Sequence, residues 1–221
     1  MRRLTERSDA RGLLQAGSFL LIFAGTLSLS LFFFLHRMWV PMAAAFYLHC
    51  LFRGFIGMQA AEHELCHGTP FKTRWLNELF YHHFCFLSWN NPVHFRASHM
   101  LHHQYTLHRG LDKEVMPERL AFNWLDSVSW FLFDFHWYWL LMFPTIAHFF
   151  GKADVDFFFW DPLFPAGDPR RRRMFMWARI LVLGHLGLIA LFAAFKLWVL
   201  IGVVSFGCFF ASALSRGCTI Q

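Results

Sequence analysis

Two groups of histidines carry the chemistry available to this sequence: His63 and His67, then His99, His102 and His103. They stand in the stretches His63-Glu64-Leu65-Cys66-His67 and His99-Met100-Leu101-His102-His103. On a helix, residues three or four positions apart share a face, with Cβ atoms about 5–6 Å apart. His63 then sits over His67, and His99 over both His102 and His103. A neutral imidazole offers a ring lone pair without adding charge, which suits it to hold a metal ion. A single histidine is ordinarily a surface or satisfied core residue. Five in helical register beside apolar segments make a metal site, with His63, His67, His99, His102 and His103 as its candidate ligands.

The first group also fits the pattern HExxH, in which two histidines bind zinc and the glutamate, here Glu64, acts as general base. That reading gives an intramembrane zinc protease and leaves His99, His102 and His103 without a role. The pairing of HxxxH with HxxHH about thirty residues later is the more specific pattern. His82 and His83 are neighbours and point apart on a helix, so neither joins the ligand set. His94 lies five residues before His99, off the shared face, and suits a supporting place rather than a ligating one. The 5 cysteines are odd in number and contain no CxxC pair, which indicates neither a disulfide framework nor a thiolate zinc site. Cys66, inside the first histidine stretch, reads as a small apolar filler.

The elements that must position these histidines are membrane helices. The chain is 57% hydrophobic and 15% charged, where an ordinary soluble domain carries about a quarter charged residues. Aromatics at 20% suit apolar tunnels and membrane interfaces. The net charge of +6 comes with basic residues beside apolar segments, at Arg2, Arg3, Arg7 and Arg11 and again at 170–173. The positive-inside rule accounts for that placement without nucleic acid as a partner.

Residues 13–35 are almost unbroken apolar and end at His36-Arg37. A secretory signal core is about 7–15 residues and is followed at once by a cleavage site; about 20 residues cross a bilayer, so a first span is expected here. A second span begins at Trp39-Val40-Pro41, with proline in the first helical turn, and runs to about Ala60. It carries His49 and Arg53, which are costly in lipid and are expected to face the protein interior, with snorkelling the alternative for Arg53. The helix is expected to continue past the interface and carry His63 and His67 at its emerging end. Residues 71–91 read as an interfacial amphipathic segment, and Asn90-Asn91-Pro92 as a turn that starts the helix of the second histidine group.

Residues 121–150 are apolar but interrupted by Asp126, Asp134, His136 and Pro144. If the histidines and 170–173 share one side of the membrane, the chain crosses an even number of times between them. Two crossings do not fit thirty residues, so interfacial helices are expected. A loop over 161–169 precedes a third span at 174–194, with Arg179 and His185. A hairpin at Phe195-Lys196 leads to a fourth span at 197–214. The expected fold is a single all-α integral membrane domain over 1–221. It has about four transmembrane helices in two hairpins, plus interfacial helices, with the histidine region and both termini on the positive, cytosolic side.

At His63-Glu64-Leu65-Cys66-His67-Gly68-Thr69, and at Phe95-Arg96-Ala97-Ser98-His99 through His102-His103-Gln104-Tyr105-Thr106, the chain resembles the membrane-bound fatty acid desaturases, most closely the bacterial acyl-lipid enzymes. The resemblance extends over nearly the whole arrangement of spans and boxes. It implies a histidine-held di-iron centre that uses O2 to place a double bond in an acyl-lipid or acyl-CoA chain, with electrons from a ferredoxin or a cytochrome b5. His63 and His67 match the first box, and His99, His102 and His103 the second. Glu64 matches no ligand position and is expected to orient an imidazole through its other ring nitrogen. Iron comes from the resemblance, since imidazole alone also suits zinc, copper and nickel.

The family carries a third box, of HxxHH type, after its fourth span. Residues 212–221 do not resemble it, and His136, His148 and His185 are isolated, with His185 alone placed to add one ligand. Five or six imidazoles are too few for two irons with room for oxygen chemistry, so the expectation is a desaturase truncated before its third box. A hydroxylase or ketolase shares the same boxes, and a non-catalytic membrane protein fits an incomplete ligand set. No His-Pro-Gly-Gly cytochrome b5 signature occurs, so the electron donor is expected to be a separate protein.

Overall fold

The computed structural model describes residues 6–106, 108, 111–112, 131–153 and 163–210. Arg2, Arg3, Asp126, the first part of the 161–169 loop and the tail 212–221 lie outside the described residues. The described elements are helical: α1 Asp9–Leu35, α2 Trp39–Cys66, α3 Arg74–Leu87, α4 Pro92–Tyr105, α5 Phe135–Phe149, α6 Pro169–Ala194 and α7 Trp198–Phe209. Among the described residues the β structure is one isolated bridge, between Phe133 and Phe210.

Three helices, α1, α2 and α6, are long and apolar enough to cross a membrane. Their outward faces keep large apolar side chains exposed, among them Leu14, Leu21, Leu183 and Leu186. Lipid takes the place of a protein core on such faces, because the backbone polar groups are already paired within the helix. The expected fourth span corresponds to α7, a shorter apolar helix within the described residues. Both hairpins form as expected: Arg37 between α1 and α2 and Lys196 between α6 and α7 adopt left-handed backbone, at φ 57° each.

α2 is one continuous helix that carries His63 near its end, with His67 just past it. Between Arg53 and Glu62 it opens into π-helical turns, a feature common at functional sites and without a signature in apolar periodicity. His49 and Arg53 both face the interior. The His49 ring nitrogen Nδ1 lies 2.7 Å from Thr26 Oγ1 on α1. Arg53 is 2% exposed and donates to the carbonyls of Val203 and Leu87, so it ties α2 to α7 and to the end of α3 rather than snorkelling. The π-helical turns of α7, Ile201–Phe206, include the carbonyl that Arg53 satisfies.

The short linker from α3 to α4 fastens the bundle. Trp89 turns the chain at φ 61° and donates its indole N–H to the Ser205 carbonyl on α7 at 2.6 Å. Asn91 caps α4, its side-chain oxygen accepting from Val93 N and His94 N at 3.2 and 3.4 Å, ahead of Pro92 in the first helical position. The Asn91 amide also donates to the Met174 carbonyl on α6 at 2.8 Å. Asn90-Asn91-Pro92 is thus the helix start its sequence suggests. The main apolar core packs Phe23 of α1, Leu65 of α2 and Tyr81 and Phe84 of α3 together, directly beneath the histidines.

Candidate metal centre

The end of α2 brings His63 and His67 to one face, and Gly68 then turns the chain at φ 67°, a conformation that favours glycine after a helix end. Asn77 of α3 holds the last turn, its amide donating to the Leu65 carbonyl at 2.7 Å. On α4, His99 and His103 lie one turn apart and face the first pair. Ligating nitrogens of His63, His67, His99 and His103 all lie within 4.8 Å of one another. His99 Nε2 is 3.2 Å from His67 Nε2 and 3.0 Å from His103 Nε2. Nitrogens bonded about 2.1 Å from a shared ion stand a little over 3 Å apart, so this donor set fits one ion.

His99 is 4% exposed and His103 is exposed, so the cluster runs from the buried core to the surface. Burial first, and the neighbouring His99, His63 and His103 rings second, hold the His67 imidazole below its ordinary pKa. The neutral, lone-pair-bearing form is the one a metal requires. His63 Nδ1 lies 3.4 Å from Glu64 Oε1, while Glu64 Oε2 accepts from the Thr69 hydroxyl at 3.2 Å.

The second box divides. His102 turns its Nδ1 toward Asp112, 3.0 and 2.9 Å from the two carboxylate oxygens, and does not join the four-histidine group. Asp112 had no signal in the sequence, lying nine residues beyond the second box in a stretch without periodicity. His94 is buried beside His148, ring centroids 6.1 Å apart. His185 is fully buried and stacked between Phe86 and Trp89, with centroids 4.6 and 4.0 Å away. Its Nε2 donates to the Phe86 carbonyl at 3.0 Å; it serves packing rather than the cluster. Cys66 is buried in the apolar core, as a filler.

Two residues that the sequence reading passes over complete the surroundings. Glu62, directly before His63, is fully buried and its Oε2 accepts from the Asn90 amide at 2.6 Å. Placing the end of the second span at Ala60 hides it, although a carboxylate in an apolar helix is a signal in itself. Glu78 on α3 pairs with Arg96 on α4 at 3.0 Å. A cavity of about 320 Å³ opens beside His67, lined by Arg7, Lys72, Arg74 and Arg96 together with Glu78.

The sequence profile for fatty acid desaturase matches residues 37–217. No curated protein and no solved structure matches the chain. The matched stretch contains both histidine boxes, the helices that bring them together and the third long apolar helix. The chain belongs to the fatty acid desaturase family.

Proposed function

We propose that the protein is an O2-dependent acyl desaturase of the membrane, its four-histidine cluster holding one iron, with the second iron of a pair needing imidazoles beyond the five of the two boxes. The observation that carries the reading is the convergence of His63 and His67 from one helix with His99 and His103 from another, in a chain of this family. A zinc protease built on His63, Glu64 and His67 needs one further ligand and an open position for water, whereas four converging histidines in a chain of this family favour iron. His102, with Nδ1 engaged by Asp112, keeps Nε2 for a second iron of a di-iron pair. Bound iron supplies the activation of O2 and the removal of hydrogen from an unactivated acyl carbon.

The remaining work belongs to the chain. Glu64 orients the His63 ring and Asp112 that of His102, each through Nδ1, which leaves Nε2 as the donor. The cationic cavity beside His67 receives the phosphate-bearing head of an acyl-lipid or acyl-CoA, so that the acyl chain lies against the apolar helices. The balance is simple: the substrate gives up two hydrogens, O2 takes these with two electrons and two protons from solution, and two waters leave. A ferredoxin or cytochrome b5 supplies the electrons. The cluster and both termini face the cytosol, on the side of the arginines at 170–173.

Mass analysis of acyl chains from membranes holding the protein and its electron donor tests this. Chains two hydrogens lighter, lost with His99→Ala, are expected. Chains one oxygen heavier would make the protein a hydroxylase, and unchanged chains would remove the catalytic reading.

A further inference from the structure

The centre is assembled from two helices that do not follow one another. His63 and His67 ride on α2, His99 and His103 on α4, and α3 lies between them in the chain. A ligand set works only when held to within about half an ångström of its productive geometry. Something must therefore set the distance between the ends of α2 and α4.

Polar contacts by way of α3 bear on it: Asn77 donates to the Leu65 carbonyl of α2 at 2.7 Å and Tyr81 to the Pro92 carbonyl of α4 at 2.8 Å. The Arg96–Glu78 pair is part exposed, at 34% and 32%, and pairs of that kind contribute little. The contact that joins α2 directly to the linker before α4 is Glu62 with Asn90, 2.6 Å apart and both buried. Glu62 is the residue immediately before the first ligand. Asn90 stands two residues before the start of α4, on a backbone pinned by its neighbours Trp89 and Asn91 to α7 and α6. Its own N–H donates to the Cys85 carbonyl at 3.0 Å, which closes the end of α3. A carboxyl group in such a place is costly unless a hydrogen-bond donor meets it, and the Asn90 amide does so. Glu62 also closes the π-helical stretch of α2, where an extra residue per turn turns the following side chains.

We infer that Glu62 and Asn90 are a positioning pair: the bond between them sets the register of α2 against α4 and so brings the two histidine pairs within reach of one ion. The inference rests on the metal-centre reading given above.

Two readouts test it. The first is the affinity of the purified protein for Co²⁺, read from its visible absorption. Glu62→Ala and Asn90→Ala are each expected to weaken binding about 10–100-fold, with the double variant no worse than either alone. Glu62→Gln, whose amide oxygen accepts the same bond, is expected to restore most of it. Asn90→Ser, which withdraws the donor while keeping a turn former, replaces Asn90→Ala if that variant does not fold. The second readout needs no metal: the distance between spin labels on Thr69→Cys and Gln104→Cys, both at exposed sites. Its distribution should broaden in Glu62→Ala and Asn90→Ala and stay narrow in Glu62→Gln. Unchanged affinity in both single variants, or strictly additive losses, overturns the pairing. If the parent protein binds no Co²⁺, the proposed function fails while the distance distribution still decides on the pair, an unbroadened one overturning it.

Discussion

His102 Nδ1 and the Asp112 carboxylate stand 2.9 and 3.0 Å apart at their two oxygens, and the Asp112 side chain is fully buried. Carboxylate oxygens only accept, so Nδ1 carries the proton in this contact. The five histidines that sequence spacing treats alike are therefore of two kinds. Changing His63, His67, His99 or His103 to Ala is expected to abolish tight binding of one metal ion per chain. His102→Ala is expected to keep it. Elemental analysis after dialysis checks this, and equal loss at all five positions would contradict it.

Arg53 bridges two carbonyls from different helices at a fully buried site. Arg53→Ala leaves the Val203 and Leu87 carbonyls unmet, and hydrogen bonds to charged groups contribute about 1.5–3 kcal/mol each. A loss of about 3 kcal/mol against denaturation in detergent is expected. Arg53→Lys should recover little of it, because a single ammonium cannot reproduce the planar two-pronged reach of guanidinium.

The cavity beside His67 brings four cations together with one carboxylate. Reversing two of the cations with Lys72→Glu and Arg74→Glu should raise KM for a phosphate-bearing acyl substrate roughly tenfold or more, equivalent to about 1.4 kcal/mol. The value of kcat should stay within about twofold. Steady-state kinetics with a phosphate-free acyl ester as control reads the difference; the same rise in KM for both substrates would sink the assignment.

His94 and His148 form a buried pair that resists charging. Burial lowers both imidazoles, His148 to about 4, and a charge on His148 lowers His94 further. An unfolded chain with ordinary imidazoles near 6.5 binds more protons than the folded one at pH values below that. Stability is thus fully present above about 6.5 and declines as pH falls toward 4, with a slope of up to about 1.4 kcal/mol per pH unit for each ring. Metal-free protein with His148→Gln should show a shallower decline in denaturation midpoints over this window. An identical slope would contradict the account.

Much of the frame was legible in sequence because lipid imposes long apolar runs and backbone rules leave helices as the open choice. The spans at 13–35 and 174–194, the Asn91 cap and the emergence of α2 with His63 and His67 all follow from such local signals. The π-helical turns of Arg53–Glu62 do not, because apolar residues there keep no period that marks an added residue. Helical spacing put His102 on the ligand face, and it took a distant carboxylate, Asp112, to turn it aside. His185 looked available as an imidazole in a span, but its place between Phe86 and Trp89 depends on packing across three elements. Long-range partners such as Glu62 with Asn90 leave no trace in periodicity.

X-ray absorption at the iron edge of the iron-loaded protein tests the centre most directly. A shell of light donors at about 2.1 Å with the outer-shell pattern of imidazole is expected, losing intensity in His99→Ala and His103→Ala. A sulfur shell, or an imidazole pattern untouched by both substitutions, would contradict a centre built by His63, His67, His99 and His103.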